Sequence, residues 1–125
     1  MPARRKPTPP GPDPRPRLRI LFGGTTAIGP GKADLLEAIG DSGSISAAGR
    51  AMRMSYRRAW LLVDEMNAAF LRPLVASKAG GSHGGGAVLT RLGREVLKHY
   101  RDMEKAASAG ASRPFQQFTR LLKPR

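Results

Sequence analysis

Between Ser46 and Phe70 the apolar positions recur at three- and four-residue steps, interrupted once at Arg53-Met54. Before the break, SAAGRAM carries Ala47, Ala48 and Ala51, small enough for close helix packing. After it, YRRAWLLVDEMNAAF sets Ala59, Leu62, Val63, Met66 and Phe70 on one stripe, and Ser55 stands where an N-cap belongs. Two helices across a tight corner are predicted. Trp60, beside the stripe, is expected in the core with a partner for its indole N–H.

The flanks read in the same way. Arg17 to Phe22 alternates, with Leu18, Ile20 and Phe22 on one side and Arg17, Arg19 and Leu21 on the other: a short, half-buried strand that Gly23-Gly24-Thr25-Thr26 ends. Gly29-Pro30-Gly31 leads into KADLLEAIGDSG, a helix with Leu35, Leu36 and Ile39 inward and Gly40 or Gly43 near its end. Arg72-Pro73 stops the helix that starts at Ser55. Leu74–Lys78 and Ala87–Thr90 are strands on either side of the glycine loop 79–86, a hairpin with a long tip. From Thr90 the pattern is helical again, Leu89, Leu92, Val96, Tyr100, Met103 and Ala107 lying on one face. The expected fold is mainly α with a small β-sheet: a winged helix-turn-helix with a long C-terminal dimerisation helix. The strand at 17–22 can close the sheet at three strands. Residues 1–16 read as a disordered basic proline-rich arm, 17–89 as the domain, 90–109 as the linker or dimerisation helix and 110–125 as a flexible basic tail.

Charge narrows the function. Lys and Arg number 22 against 9 Asp and Glu, a formal net charge of +13, which favours a polyanionic partner. Cysteine is absent, which excludes disulfides and thiolate zinc sites. No stretch approaches the roughly 18 apolar residues of a spanning helix. The basic start runs into prolines, unlike a secretory signal, so a cytoplasmic, nucleoid-associated chain with no membrane partner is expected.

The first turn of the helix after Ser55 holds Tyr56, Arg57 and Arg58 and no acid. A helix start is positive by its macrodipole, so two arginines there call for an anion in front of them. Double-stranded DNA in the major groove answers that need. Ser55, Tyr56, Arg57 and Arg58 are the candidate readers, with arginine able to contact either guanine or phosphate. Arg50 and Arg53 suit phosphate, Lys78 a flanking phosphate, and Ser82 and His83 at the wing tip the minor groove. Two amphipathic helices and a turn also occur in domains that touch no nucleic acid. The glycine loop lacks the Gly-Lys-Ser/Thr of a nucleotide-binding loop and is followed by a strand pattern. His83 and His99 are far apart, and Asp64 and Glu65 have no histidine or nucleophile beside them. Neither metal, cofactor nor enzyme activity is expected.

The long helix carries more apolar stripe than a small domain covers. Leu92, Val96, Tyr100 and Met103 are therefore expected at a two-fold interface. Alternatively, the first half of the helix caps the local core and the second is exposed.

GSISAAGRAMRMSYRRAWLLVDEMN, followed by GGSHGGGAVLTRLG, closely resembles the N-terminal DNA-binding domain of ModE-type molybdate-responsive regulators, itself similar to the winged helix-turn-helix of LysR-type regulators. Gly43 to Ser46, Ser55-Tyr56, Ala59-Trp60, Glu65 to Asn67 and Gly84 to Thr90 carry the likeness, which covers about residues 17–107. It implies a dimeric transcription factor whose recognition helix begins at Ser55. Full-length members of that family carry molybdate-binding domains after the helix. Residues 108–125 offer nothing comparable, so the expectation is a chain that acts constitutively or beside a protein that senses the oxyanion. Two rivals stand: an interaction subunit pairing with a full-length family member, and a nucleoid or RNA-binding protein without sequence choice.

Overall fold

A computed structural model describes residues 15–81 and 84–124. The basic arm up to residue 14 and the wing-tip pair Ser82 and His83 lie outside the described residues. The elements run β1 (Ile20–Phe22), β2 (Thr25–Ile28), α1 (Pro30–Ser42), α2 (Ile45–Ala51), α3 (Tyr56–Ala69), β3 (Val75–Gly81), β4 (Gly84–Leu89) and α4 (Arg91–Thr119).

The first strand departs from expectation. It is only three residues long and pairs antiparallel with β2, not with the wing, so two two-stranded sheets replace the three-stranded one. The cause is the Gly23-Gly24 turn, whose φ values of 62° and 87° are the left-handed conformations that a two-residue hairpin demands. Read only as a terminator, Gly-Gly concealed β2. A register shift between Ile20 and Leu21 also breaks the alternation. Leu18 and Ile20 pack on the core, whereas Phe22 is 70% exposed.

α1 begins on Pro30 at its first turn, where the missing N–H is not needed. It ends at Gly43, whose N–H donates to Ile39 O at 2.8 Å. Leu35, Leu36 and Ile39 are fully buried and meet Val63 and Met66 of α3, with Leu74, in one core. α2 starts one residue before the expected Ser46, because Ser44 caps it by accepting from the Ala47 N–H at 3.1 Å. The corner that follows turns through Arg53, at φ 58°, and the Met54 N–H closes it on Gly49 O at 2.9 Å.

In the wing, β3 and β4 extend through most of the glycine run that reads as a loop in sequence, leaving only residues 82 and 83 between them. Glycine weakens a strand, but the ladder is made by backbone groups and does not require side chains. The wing is fastened to the helices at both ends. The Ala87 N–H donates to Gly43 O at 2.9 Å, at the α1–α2 corner. At the other end, Asn67 of α3 accepts from the Leu74 and Val75 N–H groups at 2.8 and 3.1 Å and donates to Val75 O at 3.2 Å. Thr90 then caps α4, accepting from the Gly93 N–H at 3.0 Å and donating to Pro73 O at 2.7 Å. Its own N–H donates to Leu74 O.

α4 does not stop at residue 109. It continues for ten more residues to Thr119 with Pro114 inside it. Pro114 removes one hydrogen bond, to the carbonyl of Gly110, and Gly110 is exposed, so water can satisfy that oxygen. The chain's own core also takes up most of the stripe expected at a subunit interface. Tyr100 is fully buried and its hydroxyl donates to Leu18 O at 2.7 Å; Leu92 and Val96 are half-buried against the core. The N-terminal segment crossing α4 supplies the cover that the sequence pattern does not reveal. Of the four residues, only Met103 is exposed. Next to Tyr100, Arg101 is held among Asp34, Glu37 and Glu104 at 2.8–2.9 Å, joining α1 to α4. Burial pulls its guanidinium pKa down, but the hydrogen bonds it donates to Asp34, Glu104 and Glu37 outweigh that and hold it above the ordinary value. No helix among the described residues is long and apolar enough to cross a membrane.

Two outcomes follow from these contacts. A Cβ on Gly93 would sit inside contact distance of the Leu74 carbonyl oxygen, which is backbone and cannot swing aside. Gly93→Ala is expected to cost about 1–3 kcal/mol, lowering Tm by about 4–8 °C for each kcal/mol in a thermal melt. Tyr100 has its phenol pKa raised from 10.0 to about 12, first by burial and then by the Glu104 carboxylate, against the opposing Arg101. The raised value in the folded state means that the unfolded chain loses this proton first. The contribution is therefore complete below pH 10 and falls away as pH rises toward 12. Denaturant titrations across that window should show a decline that Tyr100→Phe reduces.

Candidate nucleic-acid interface

The corner between α2 and α3 gathers the cationic side chains. Arg50 lies in the last turn of α2, Arg53 in the turn itself, and Arg57 and Arg58 in the first turn of α3. Ser55 caps α3, its hydroxyl oxygen accepting from the Arg58 N–H at 3.0 Å. That bond fixes the helix start and thereby the directions in which Tyr56, Arg57 and Arg58 leave the backbone. All four arginines are exposed, and none makes an ion pair among the described residues.

Acids sit elsewhere. Asp34, Glu37 and Glu104 surround Arg101; Asp102 pairs with Lys98 and Glu95 with Arg91 along α4; Glu65 pairs with Lys32 at 3.1 Å. Lys98 holds the Asp102 carboxyl below its usual value, through the hydrogen bond first and its charge second. Within α3 itself, Asp64, two turns along its exposed side, opposes the positive potential of the α2–α3 corner.

With 3.6 residues per turn, α3 has three solvent-bordering strips. Arg58, Leu62 and Glu65 border a groove against β1 and β2, lined also by Arg19 and Phe22. Tyr56, Trp60 and Asn67 border a cleft of about 290 Å³ against the wing, whose other wall includes Ser46, Val75 and Ser77. Arg57 and Leu61 lie between these strips, pointing away from the buried Ala59, Val63 and Met66. Lys78 is exposed on β3, opposite Gly86 of β4. Ser55, Tyr56, Arg57 and Arg58 are therefore brought together with Arg50 and Arg53, with Lys78 apart on the wing. Ser82 and His83 lie outside the described residues.

Trp60 is not in the core. It is 38% exposed and meets Tyr56, itself 62% exposed, edge to face at 6.1 Å between ring centroids. The spacing of four residues places the two rings on one strip of α3, and the small Ala59 takes the core position beside them. That spacing was visible in the sequence. Among the described residues no group of three or more His, Asp or Glu side chains could hold a metal.

Three packed helices, a capped second helix after a tight corner and a following β-hairpin define a winged-helix fold. No family model matches the chain. Individual proteins do. It is 43% identical over 79 residues to the molybdenum transport protein ModE of Azotobacter vinelandii, covering 63% of this chain and 29% of that one. It is 40% identical over 95 residues to the molybdenum-pterin-binding protein MopB of Rhodobacter capsulatus, covering 76% and 34%. It is 42% identical over 71 residues to the DNA-binding transcriptional dual regulator ModE of Escherichia coli K12, covering 57% and 27%. ModE regulators are thus homologues of this chain, which spans about a third of the length of the curated relatives it matches.

Proposed function

We propose that this chain is a sequence-specific, double-stranded DNA-binding transcriptional regulator. The observation that carries the reading is the set of four exposed arginines at the α2–α3 corner with no ion-pair partner among the described residues. Like charges gathered without counter-charges repel one another, and a polyanion relieves the repulsion while releasing its own counterions. The relatives named ModE in Escherichia coli and Haemophilus influenzae, which are transcriptional regulators by name, support the same assignment. α3 enters the major groove with Arg57 and Arg58 at its leading end. Arg50 and Arg53 hold phosphates, and the wing, with Lys78, lies along the adjacent minor groove.

The chain acts as a dimer. Tyr100, Leu92 and Val96 are taken up at home, so the pairing face lies further out on α4. At 1.5 Å per residue, α4 is about 44 Å long, and from Lys105 to Gly110 every residue is exposed. Met103, Ala107, Ala111, Phe115 and Phe118 recur there at steps of four, four, four and three. Two-fold pairing along this stripe sets two α3 helices about one DNA turn apart, or a multiple of it.

Selection from random duplexes tests the reading. An inverted-repeat consensus is expected, with Arg57→Ala and Arg58→Ala each losing about 1–3 kcal/mol per base contact, or about 0.9 of log–log salt slope per phosphate contact. Equal binding of all duplexes, unaltered in both variants, would instead favour a nucleoid-type protein. Sedimentation tests the pairing: a dimer for the wild type and a monomer for Phe118→Glu, with operator affinity lost alongside. A Phe118→Glu chain that stays dimeric removes the distal stripe from consideration.

A further inference from the structure

On the solvent side of α3, Tyr56 and Trp60 on one strip and Leu61 on the next make a broken apolar ridge beside the arginine tip, and their exposure is 62%, 38% and 49%. Leaving a tryptophan and a leucine exposed on a helix whose opposite face is fully packed calls for something to cover them. The ridge is continuous with the cationic corner: Arg57 and Arg58 lie between Tyr56 and Trp60 in the chain, and Arg53 precedes the helix. Whatever the arginines draw in is carried onto the ridge.

Asp64 lines the cleft beside Trp60, one turn further on, and it is exposed. A carboxylate there repels a phosphate, so the ridge is not suited to the DNA backbone. It suits a base edge, which bears no charge. In the major groove the one apolar group that a base pair presents is the thymine 5-methyl. We infer that Trp60, together with Tyr56 and Leu61, reads thymine methyl groups in the operator, which makes Trp60 a specificity-determining residue and not a packing one.

This inference rests on the DNA-binding reading above, and the two can fail separately. Trp60 is the chain's one tryptophan, so its emission reports on this position in the unmodified protein. Using the duplex selected by the wild type, titration is expected to quench and shift that emission in step with binding measured by gel shift. Replacing operator thymines one at a time by deoxyuridine removes single methyl groups. At one or two positions in each half-site the wild type should lose about fourfold in affinity, the worth of one buried methyl. Trp60→Ala should be indifferent to the same replacements, while its circular dichroism matches the wild type. Trp60→Phe, which keeps an aromatic edge, should retain part of the sensitivity.

Tight, Arg57-dependent operator binding with unchanged Trp60 emission, or with identical deoxyuridine sensitivity in the wild type and Trp60→Ala, overturns the inference and leaves the DNA-binding reading intact. An emission change on concentrating the protein without DNA, in step with its mass, would assign the ridge to a second copy and also overturn it. Absence of any duplex binding removes both.

Discussion

The backbone at Leu74 is the point on which the rest of the molecule depends. Leu74 is fully buried a few residues after α3 has ended at Ala69, so its N–H and C=O cannot turn to water. Asn67 takes the N–H, and the Thr90 N–H takes the carbonyl. α4 passes so close to that carbonyl that position 93 has room only for glycine. One buried peptide segment thus joins α3, the wing and α4. An unmade bond here would cost about 1–3 kcal/mol, and it would also loosen the positions of α3, the wing and α4 relative to one another.

The distribution of charge follows from a similar economy of partners. Arg101 is only 17% exposed at its side chain, a position where a lone guanidinium would be strongly unfavourable. Asp34 and Glu37 from α1 and Glu104 from α4 satisfy it, using three of the chain's nine acids at one inner junction. Glu65, Glu95 and Asp102 are paired in other places. The result is a chain whose carboxylates stabilise the α1–α4 side and whose arginines at the α2–α3 corner are left to the solvent. The same allocation that anchors α4 leaves the α3 tip ready for an anion.

Sequence pattern revealed the helices and the corner well because both are local. Ser55, three residues before the N–H it caps, and the stripe from Ala59 to Met66 are readable within a few turns. What escaped was decided at a distance. Tyr100 bonds to Leu18 across most of the chain, so no local periodicity distinguishes it from an interface residue. β2 escaped because Gly23-Gly24 signals both an ending and a hairpin, and only the residues beyond it separate the two. The exposure of Trp60 is hidden for a different reason. A large aromatic beside a core stripe ordinarily packs inward, and here its spacing of four from the exposed Tyr56 was the better guide.

α4 is where local and distant constraints change over along a single helix. Up to Glu104 its residues are fixed by contacts with the rest of the chain: Gly93 by Leu74, Tyr100 by Leu18, Arg101 by Asp34 and Glu37. Beyond that point the helix leaves the core, and Phe115 and Phe118 stack on each other at 6.3 Å. A proline inside this outer part is tolerated because the hydrogen bond it removes faces water. A helix running several turns past its own domain gains little packing there, and propensity alone sustains such a segment only marginally in water. The two-fold pairing proposed above would cover its apolar periodicity with a second helix of matching pattern. The inner half of α4 thus belongs to the fold of one chain, and the outer half stands clear of that core.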